Sequence, residues 1–146
     1  IGSGAFLRCT NLKKIVIPES VTSIGSSAFG ECVNLESIEI PQNVMTIGSY
    51  AFGKCTSLKE IKFPENITSI ESAMFEKCIS LKNVSLPEGV TDIGSSAFEG
   101  CTNLEHIDIP NNVTTIEEAT FSNCTSLKEI DIPNNVKYIL GDLLAI

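Results

Sequence analysis

Tryptophan, paired histidines and long apolar runs are absent from this chain. It has no tryptophan, aromatic residues make up 6% of the sequence, and the single histidine is His106. A zinc site needs several histidine or cysteine ligands, and no Cys-x-x-Cys pair occurs, so we expect no metal site. No segment approaches the ~20 consecutive apolar residues that span a bilayer, so we expect no membrane insertion.

Basic residues are scarce as well. Ten Lys and Arg residues stand against 18 Asp and Glu residues, which gives a net charge of −8. A nucleic-acid-binding surface needs clustered Lys and Arg, and an anionic membrane surface attracts the same side chains. We therefore expect neither nucleic acid nor a membrane surface as a partner.

The sequence also lacks the short motifs of common enzymes. It has no Gly-x-Ser-x-Gly elbow, no phosphate-binding loop and no His-Glu-x-x-His pair. The glycine-rich segments, such as Gly25–Ser27, recur along the chain and are therefore structural. Catalysis needs a unique set of unlike groups, which a chain of repeated columns does not favour. We expect no enzymatic activity and no cofactor.

In contrast, several residue types recur along the chain at a fixed period. This period is the number of residues from Cys9 to Cys32. Cysteine, proline and phenylalanine each recur six times at this step: Cys9, Cys32, Cys55, Cys78, Cys101 and Cys124; Pro18, Pro41, Pro64, Pro87, Pro110 and Pro133; Phe6, Phe29, Phe52, Phe75, Phe98 and Phe121. Such a period predicts a stack of small units that bury their apolar faces on one another. We expect a single domain over 1–146, with six repeats beginning at residues 1, 24, 47, 70, 93 and 116 and a partial seventh from 139, all belonging to a longer protein.

Each repeat predicts a strand, a turn and a second strand. Ile38 and Ile40 alternate with polar residues, which is the period of a half-buried strand. Pro41 ends the strand because it cannot donate to a sheet ladder. Turn-favouring residues follow at Asn43 and its equivalents, and Asn and Gly tolerate the left-handed conformation best. Ile47 then returns to the core on a very short strand.

The remainder of each repeat predicts a short helical turn. Ala28, Phe29, Cys32 and Leu35 lie three to four positions apart, which fits one or two turns of α- or 3₁₀-helix with Ser26 as the N-cap. If the strands pair in parallel, stacked repeats place like residues in ladders ~4.8 Å apart. Because the Cβ atoms of a disulfide lie ~3.8 Å apart, we expect the cysteines to be buried free thiols.

The last segment keeps the period but changes chemistry. Leu140 replaces a glycine, and Leu143 and Leu144 stand where alanine and phenylalanine recur. We interpret this segment as a degenerate or truncated repeat, because a polar cap would carry polar side chains there.

The repeated pattern Leu-x-x-Ile-x-Ile-Pro, followed by x-x-Val-x-x-Ile-Gly-x-x-Ala-Phe-x-x-Cys, resembles the BspA-like leucine-rich repeat family. The resemblance runs from Ile1 to about Leu144. The departures are Glu71 and Glu117 for glycine and Met74 and Thr120 for alanine. It implies a leucine-rich-repeat solenoid of the α/β class, mostly β with short helical turns, whose parallel sheet forms the concave face. It also implies surface-exposed proteins of bacteria and some protists, often linked to adhesion.

Three outward columns of the predicted strands vary in chemistry, whereas the inward columns are uniform. Solenoids bind partners on such extended surfaces. The candidate binding residues on this face are Lys14, Val16, Glu39, Glu60, Lys62, Asn83, Ser85, Glu105, His106, Asp108, Glu129 and Asp131. The C-terminal end of the face is acidic, so we expect it to meet a basic patch on a protein partner.

These observations favour a protein–protein interaction or cell-adhesion module of a cell-surface or secreted protein. The expected partner is a protein, such as a host or matrix glycoprotein. Two alternatives stay open: a structural spacer or stalk, and a recruiting arm of a larger enzyme. The sequence indicates neither the identity of the partner nor the oligomeric state.

Overall fold

A computed structural model describes residues 1–143 of the chain. The chain winds into a solenoid in which each residue lies beside its equivalent in the next repeat, as in the pairs Ile24–Ile47 and Ile38–Ile61. All strand pairings are parallel. The expected leucine-rich-repeat solenoid with its parallel sheet on the concave face is therefore confirmed.

Ten short strands form two series along the solenoid. In chain order they are β1 (Ser23–Ile24), β2 (Ser37–Glu39), β3 (Thr46–Ile47), β4 (Glu60–Lys62), β5 (Ser69–Ile70), β6 (Asn83–Ser85), β7 (Asp92–Ile93), β8 (His106–Asp108), β9 (Thr115–Ile116) and β10 (Tyr138–Ile139). The three-residue strands pair as β2–β4 and β6–β8. The two-residue strands pair as β1–β3 and as a four-stranded sheet in the order β5–β7–β9–β10.

The short helical turns expected in each repeat are not confirmed, because residues 1–143 contain no helix. In the second repeat this segment is a run of hydrogen-bonded turns, and Ser26 caps no helix. Ser27 and Glu31 both have a φ of 57°, in the left-handed region. A left-handed residue every fourth position breaks the α-helical path, since only single residues visit this region.

These turns join neighbouring coils of the solenoid. The N–H groups of Ser27 and Phe29 donate to the carbonyl oxygens of Ser49 and Ala51 in the next coil, at 2.9 and 2.8 Å. The N–H group of Ala28, between them, donates within its own coil, to Gly25 at 3.2 Å. We call this segment the turn side. Its backbone forms a ladder from coil to coil that a helix could not form, because a helix uses its N–H groups internally.

Phenylalanine rings stack through the core beneath the turn side. The six repeated rings are stacked with centroids 5.1 to 5.7 Å apart. Phe29, Phe52, Phe75 and Phe98 are fully buried. Burial of each ring contributes about 1.5–3 kcal/mol to stability. The expected ladder of phenylalanine on phenylalanine is confirmed.

The turn after each proline has a role that the sequence did not reveal. The N–H group of Val44 donates to the carbonyl oxygen of Pro41 at 3.1 Å, which closes the turn. Asn43 does not adopt the left-handed conformation. Its side-chain amide instead donates to the carbonyl oxygen of Glu19 in the preceding coil at 2.8 Å. Asparagine at this position therefore also joins neighbouring coils.

At the C-terminal end, β10 pairs with β9 and leaves apolar side chains uncovered. Ile139 is 46% exposed and Leu140 is 43% exposed. Leu143 is half-buried, and its carbonyl oxygen accepts a hydrogen bond from the N–H group of Phe121 at 3.1 Å. Leu144, for which we expected a place in the phenylalanine column, lies outside the described residues.

Candidate functional site

All twelve candidate binding residues are exposed in the structure. They lie in three columns that begin at Lys13, Lys14 and Val16 and recur once in every repeat. We call the exposed side chains of these columns the strand face. The inward neighbours of the same segments, such as Ile38 and Val84, are buried. Alternation along the strand thus separates a uniform core from a variable surface.

Seven of the twelve lie on strands. They are Glu39 on β2, Glu60 and Lys62 on β4, Asn83 and Ser85 on β6, and His106 and Asp108 on β8. Lys14, Val16, Glu129 and Asp131 lie in segments without strand pairing, and Glu105 immediately precedes β8. The paired strands therefore cover less of this face than the sequence indicated.

Cross-strand pairs set the local chemistry of the strand face. Glu39 lies directly beside Lys62. Ser85 lies beside Asp108, and its hydroxyl donates to Oδ2 of that carboxylate at 3.3 Å. Lys59 Nζ lies 3.1 Å from Oε2 of Glu36, with both side chains more than half exposed. Such a surface ion pair contributes about 0–1 kcal/mol, so these contacts arrange the face more than they stabilise the fold.

Charge divides the chain into two parts. Residues 1–69 hold six basic and six acidic residues, and residues 70–146 hold four basic and twelve acidic residues. The whole net charge of −8 therefore lies in the second part. On the strand face its acidic residues are Glu105, Asp108, Glu129 and Asp131, with His106 and Lys128 among them, and all six are exposed. A field of one sign over such a surface attracts oppositely charged partners.

Two shallow depressions lie toward the other end of the strand face. One has a volume of about 490 Å³ and is lined by Val16, Glu39, Lys62 and neighbouring residues. The other, of about 410 Å³, shares Glu39 and Lys62 with it and extends to Ser85. Glu19, Gln42 and Glu65 follow the prolines and also line these depressions. Sequence reasoning missed these three residues. The signal that pointed to this part of the face was Val16, an apolar residue in a polar column, which is 83% exposed.

Within residues 1–143 no group of three or more His, Cys, Asp or Glu side chains could hold one metal ion. Nor does that part of the chain contain a helix with the length and apolarity to cross a membrane.

The cysteines form a buried column of free thiols. All six are free, and five are buried. Burial raises the pKa of Cys55 and of Cys124 to about 12. These thiols are therefore neutral near pH 7, whereas the thiolate is the nucleophile and the metal ligand.

The chain matches a family of repeat proteins. The BspA type leucine rich repeat region matches residues 1–78 and 54–145, with six copies in the chain. No curated protein matches the chain.

Several solved bacterial structures resemble this one. A leucine rich cell surface protein from Faecalibacterium prausnitzii is 42% identical over 86% of the chain, with a TM-score of 0.75. A T. pallidum leucine rich repeat protein is 34% identical over 97% of the chain, with a TM-score of 0.88. A leucine-rich repeat protein from Eubacterium ventriosum is 31% identical over 89%, with a TM-score of 0.81. The chain spans 31%, 65% and 35% of the lengths of these three proteins, less than two thirds of each.

Proposed function

The chain belongs to the BspA type leucine-rich repeat family, and from this premise we propose that it is an adhesion or protein-interaction module that binds a protein partner through its strand face. Its solved relatives are leucine-rich repeat proteins, a family that is not generally enzymatic. The relative with 42% identity is a leucine rich cell surface protein, which supports a place at the cell surface or outside the cell.

One observation carries the proposal: the chemistry of the strand face varies from coil to coil on an otherwise uniform scaffold. The buried columns repeat the same residue types, as in the phenylalanines and cysteines of the core. On the strand face, Lys14, Ser37, Glu60, Asn83, His106 and Glu129 occupy one column. Four of these side chains lie on short paired strands, and the coils hold the columns in register, so binding orders little additional chain and loses little conformational entropy.

The charge of the strand face favours a partner with a basic patch. Glu105, Asp108, Glu129 and Asp131 lie in adjacent columns near the C-terminal end and are exposed. Complementary charge would orient the partner and raise the association rate. Because exposed charges are screened beyond about 10 Å at 0.1 M salt, this contribution should weaken as salt is added.

The first experiment is binding of the purified chain to a panel of matrix and cell-surface glycoproteins at physiological salt. The test variant changes Glu105, Asp108, Glu129 and Asp131 to Ala. A matched control changes four acidic residues outside the strand face to Ala: Asp92, Glu99, Glu118 and Asp142. We expect saturable binding that the test variant loses and the control keeps. Equal loss in both variants would refute the role of the strand face, and no binding by a folded chain would favour the spacer function.

A further inference from the structure

At one step of the solenoid, both series of strands are unpaired. Within residues 1–143, β3 is not paired with β5 and β4 is not paired with β6. The three-residue series is also unpaired between 14–16 and β2 and between β8 and 129–131, whereas the two-residue strands pair at all of their remaining steps. Both interruptions fall between the segments 46–66 and 69–89, and we call the contact between these segments the joint.

A third connection is missing at the same place. Asparagine amides donate to the preceding coil at Asn43, Asn66, Asn112 and Asn135. The equivalent residue at the joint is Gly89, which has no side chain to donate. In the described part of the chain, the joint therefore lacks both kinds of strand pairing and the asparagine hydrogen bond together.

The turn side remains connected there. The N–H group of Phe52 donates to the carbonyl oxygen of Met74 at 3.0 Å. The rings of Phe52 and Phe75 stack with their centroids 5.6 Å apart. At the end of the turn side, the hydroxyl of Ser80 donates to the carbonyl oxygen of Thr56 at 2.6 Å. The two halves of the solenoid are thus joined along the turn side, while both series of strands are unpaired at the joint.

The residue after β5 at the joint is Glu71, where glycine recurs. A Cβ on Gly48 or Gly94 would lie 2.5 or 2.7 Å from backbone nitrogen of the preceding coil, which explains the recurrent glycine. Glu117 makes the same replacement, yet β7 and β9 remain paired. Glutamate at this position is therefore not sufficient by itself to interrupt the pairing.

Two larger side chains occur at the joint. Phe63 occupies a column of isoleucine and leucine, and its ring meets that of Phe75 edge-on at 5.9 Å. Met74 replaces the recurrent alanine and is fully buried. Their extra volume lies within the core on the two sides of the joint, where added volume pushes backbone segments apart.

One of the two depressions on the strand face extends across the joint. The 410 Å³ depression is lined by Lys62, Phe63 and Glu65 on one side and by Ser85, Leu86 and Pro87 on the other. The joint also coincides with the boundary between the electrically neutral and the acidic parts of the chain.

We propose that residues 63–74 form a hinge, about which the neutral and acidic halves of the solenoid open and close on the strand face while the turn-side ladder keeps them together. Opening widens the depression and changes the angle between the two halves of the strand face. The hinge does not depend on the proposed binding function, since it follows from contacts within the chain alone.

Amide hydrogen exchange measured by NMR gives the first test. The N–H groups of Thr91, Gly94 and Glu105 donate across an intact step at 3.0, 2.8 and 2.8 Å. Their equivalents at the joint are Thr68, Glu71 and Lys82, which make no such bond among the described residues. We expect these three amides to exchange about tenfold faster than their equivalents. Equal protection would overturn the hinge.

Electron paramagnetic resonance tests the motion directly. One pair of spin labels, attached through a ketone-bearing amino acid at Ser37 and Asn83, spans the joint. A control pair at Lys14 and Glu60 has the same separation of two coils but lies within one half. We expect a broader distance distribution for Ser37–Asn83. Equal widths for the two pairs would refute the hinge.

Restoring the missing contacts should close the hinge. The double variant Glu71→Gly/Gly89→Asn returns the recurrent residues to the joint, and Glu117→Gly makes the matched change at a step that is already paired. We expect the double variant to slow amide hydrogen exchange at Thr68 and Lys82 and to narrow the distance distribution between Ser37 and Asn83. We expect Glu117→Gly to change neither measurement. The proposal would be contradicted if the double variant kept the broad distance distribution and the fast amide exchange of the parent. It would also be contradicted if the control variant narrowed the distribution equally.

Discussion

Each buried cysteine thiol donates a hydrogen bond to the carbonyl oxygen of a phenylalanine in the preceding coil. Cys55 Sγ lies 3.1 Å from the oxygen of Phe29, and Cys78 Sγ lies 3.1 Å from that of Phe52. The sequence predicted buried free thiols at these positions. The thiol also acts as a weak donor to a carbonyl oxygen that already accepts a backbone N–H group, since the N–H groups of Cys32 and Cys55 donate to Phe29 and Phe52 at 3.2 and 3.1 Å.

The raised thiol pKa predicts a loss of stability at high pH. Burial raises the pKa of Cys55 from its ordinary value of 9.0 to about 12. The folded state therefore keeps the proton more tightly than the unfolded state. The stabilisation is complete below pH 9 and is lost as the pH rises toward 12, at about 1.4 kcal/mol per pH unit and thiol. Urea unfolding between pH 8 and 12 measures it.

The control for this prediction is Cys55→Ser. Serine does not titrate in this range and its hydroxyl can donate to the same carbonyl oxygen. We expect the variant to lose stability less steeply with pH than the parent. Parallel curves would show that other groups cause the alkaline loss.

The ring of Tyr50 lies directly against Gly53. Tyr50 has a φ of 58°, and burial raises its pKa to about 12. A Cβ on Gly53 would overlap the tyrosine ring. We expect Gly53→Ala to displace the ring and to lower the free energy of unfolding by about 1–3 kcal/mol. Thermal or urea unfolding measures the change.

A double-mutant cycle separates this clash from other effects. Once Tyr50→Ala has removed the ring, Gly53→Ala should cost much less. The same change at Gly2, where no atom lies within 4 Å of an added Cβ, is the matched control. Additive effects at Gly53 and Tyr50 would contradict the contact between them.

The ladders are the elements that carry the stability of this solenoid. Long-range contacts predominate because each coil contacts its neighbours rather than itself, as the strand pairs Ile38–Ile61 and Val84–Ile107 show. Stability in such a fold is a sum of contacts between neighbouring coils. The same residue type should therefore contribute more in the middle of a ladder than at its end.

Phenylalanine gives a direct test at this scale. Phe75 is fully buried between Phe52 and Phe98, whereas Phe6 is half-buried and stacks on Phe29 alone. We expect Phe75→Ala to cost about 3–5 kcal/mol, the range for a truncated core aromatic residue. Phe6→Ala should cost clearly less. Similar losses in urea unfolding would show that the ladder does not act coil by coil.

Across the whole molecule, the division of charge is the property with a consequence for binding. The acidic part begins near residue 70, where the strand connections are also interrupted. The proposed hinge would therefore move two halves of the strand face that differ in charge.

Reversing charge at the acidic end tests the direction of the electrostatic contribution. Asp108 and Asp131 are both exposed on the strand face. We expect Asp108→Lys/Asp131→Lys to weaken binding to a basic partner at low salt, chiefly through a slower association rate, and the difference from the parent to shrink at high salt. Surface plasmon resonance at several salt concentrations measures both. Unchanged affinity at low salt would rule out the acidic end as the contact.

The sequence alone determined the repeating architecture. Its period predicts stacked units, and Phe29, Cys32 and Ile38 sit at positions that recur in every unit and are buried in the structure. Alternation along the strands also separates the buried from the exposed columns, and the twelve candidate residues are exposed.

Only the tertiary structure decided how neighbouring coils are connected. The spacing of Ala28, Phe29 and Cys32 fits a helix, yet the chain forms turns because its N–H groups find carbonyl partners in the next coil, as from Ser27 to Ser49. The missing strand pairs at the joint also depend on contacts between neighbouring coils. Hydrogen bonds between coils depend on how closely the backbones approach, and side-chain volume at positions far apart in the sequence sets that distance.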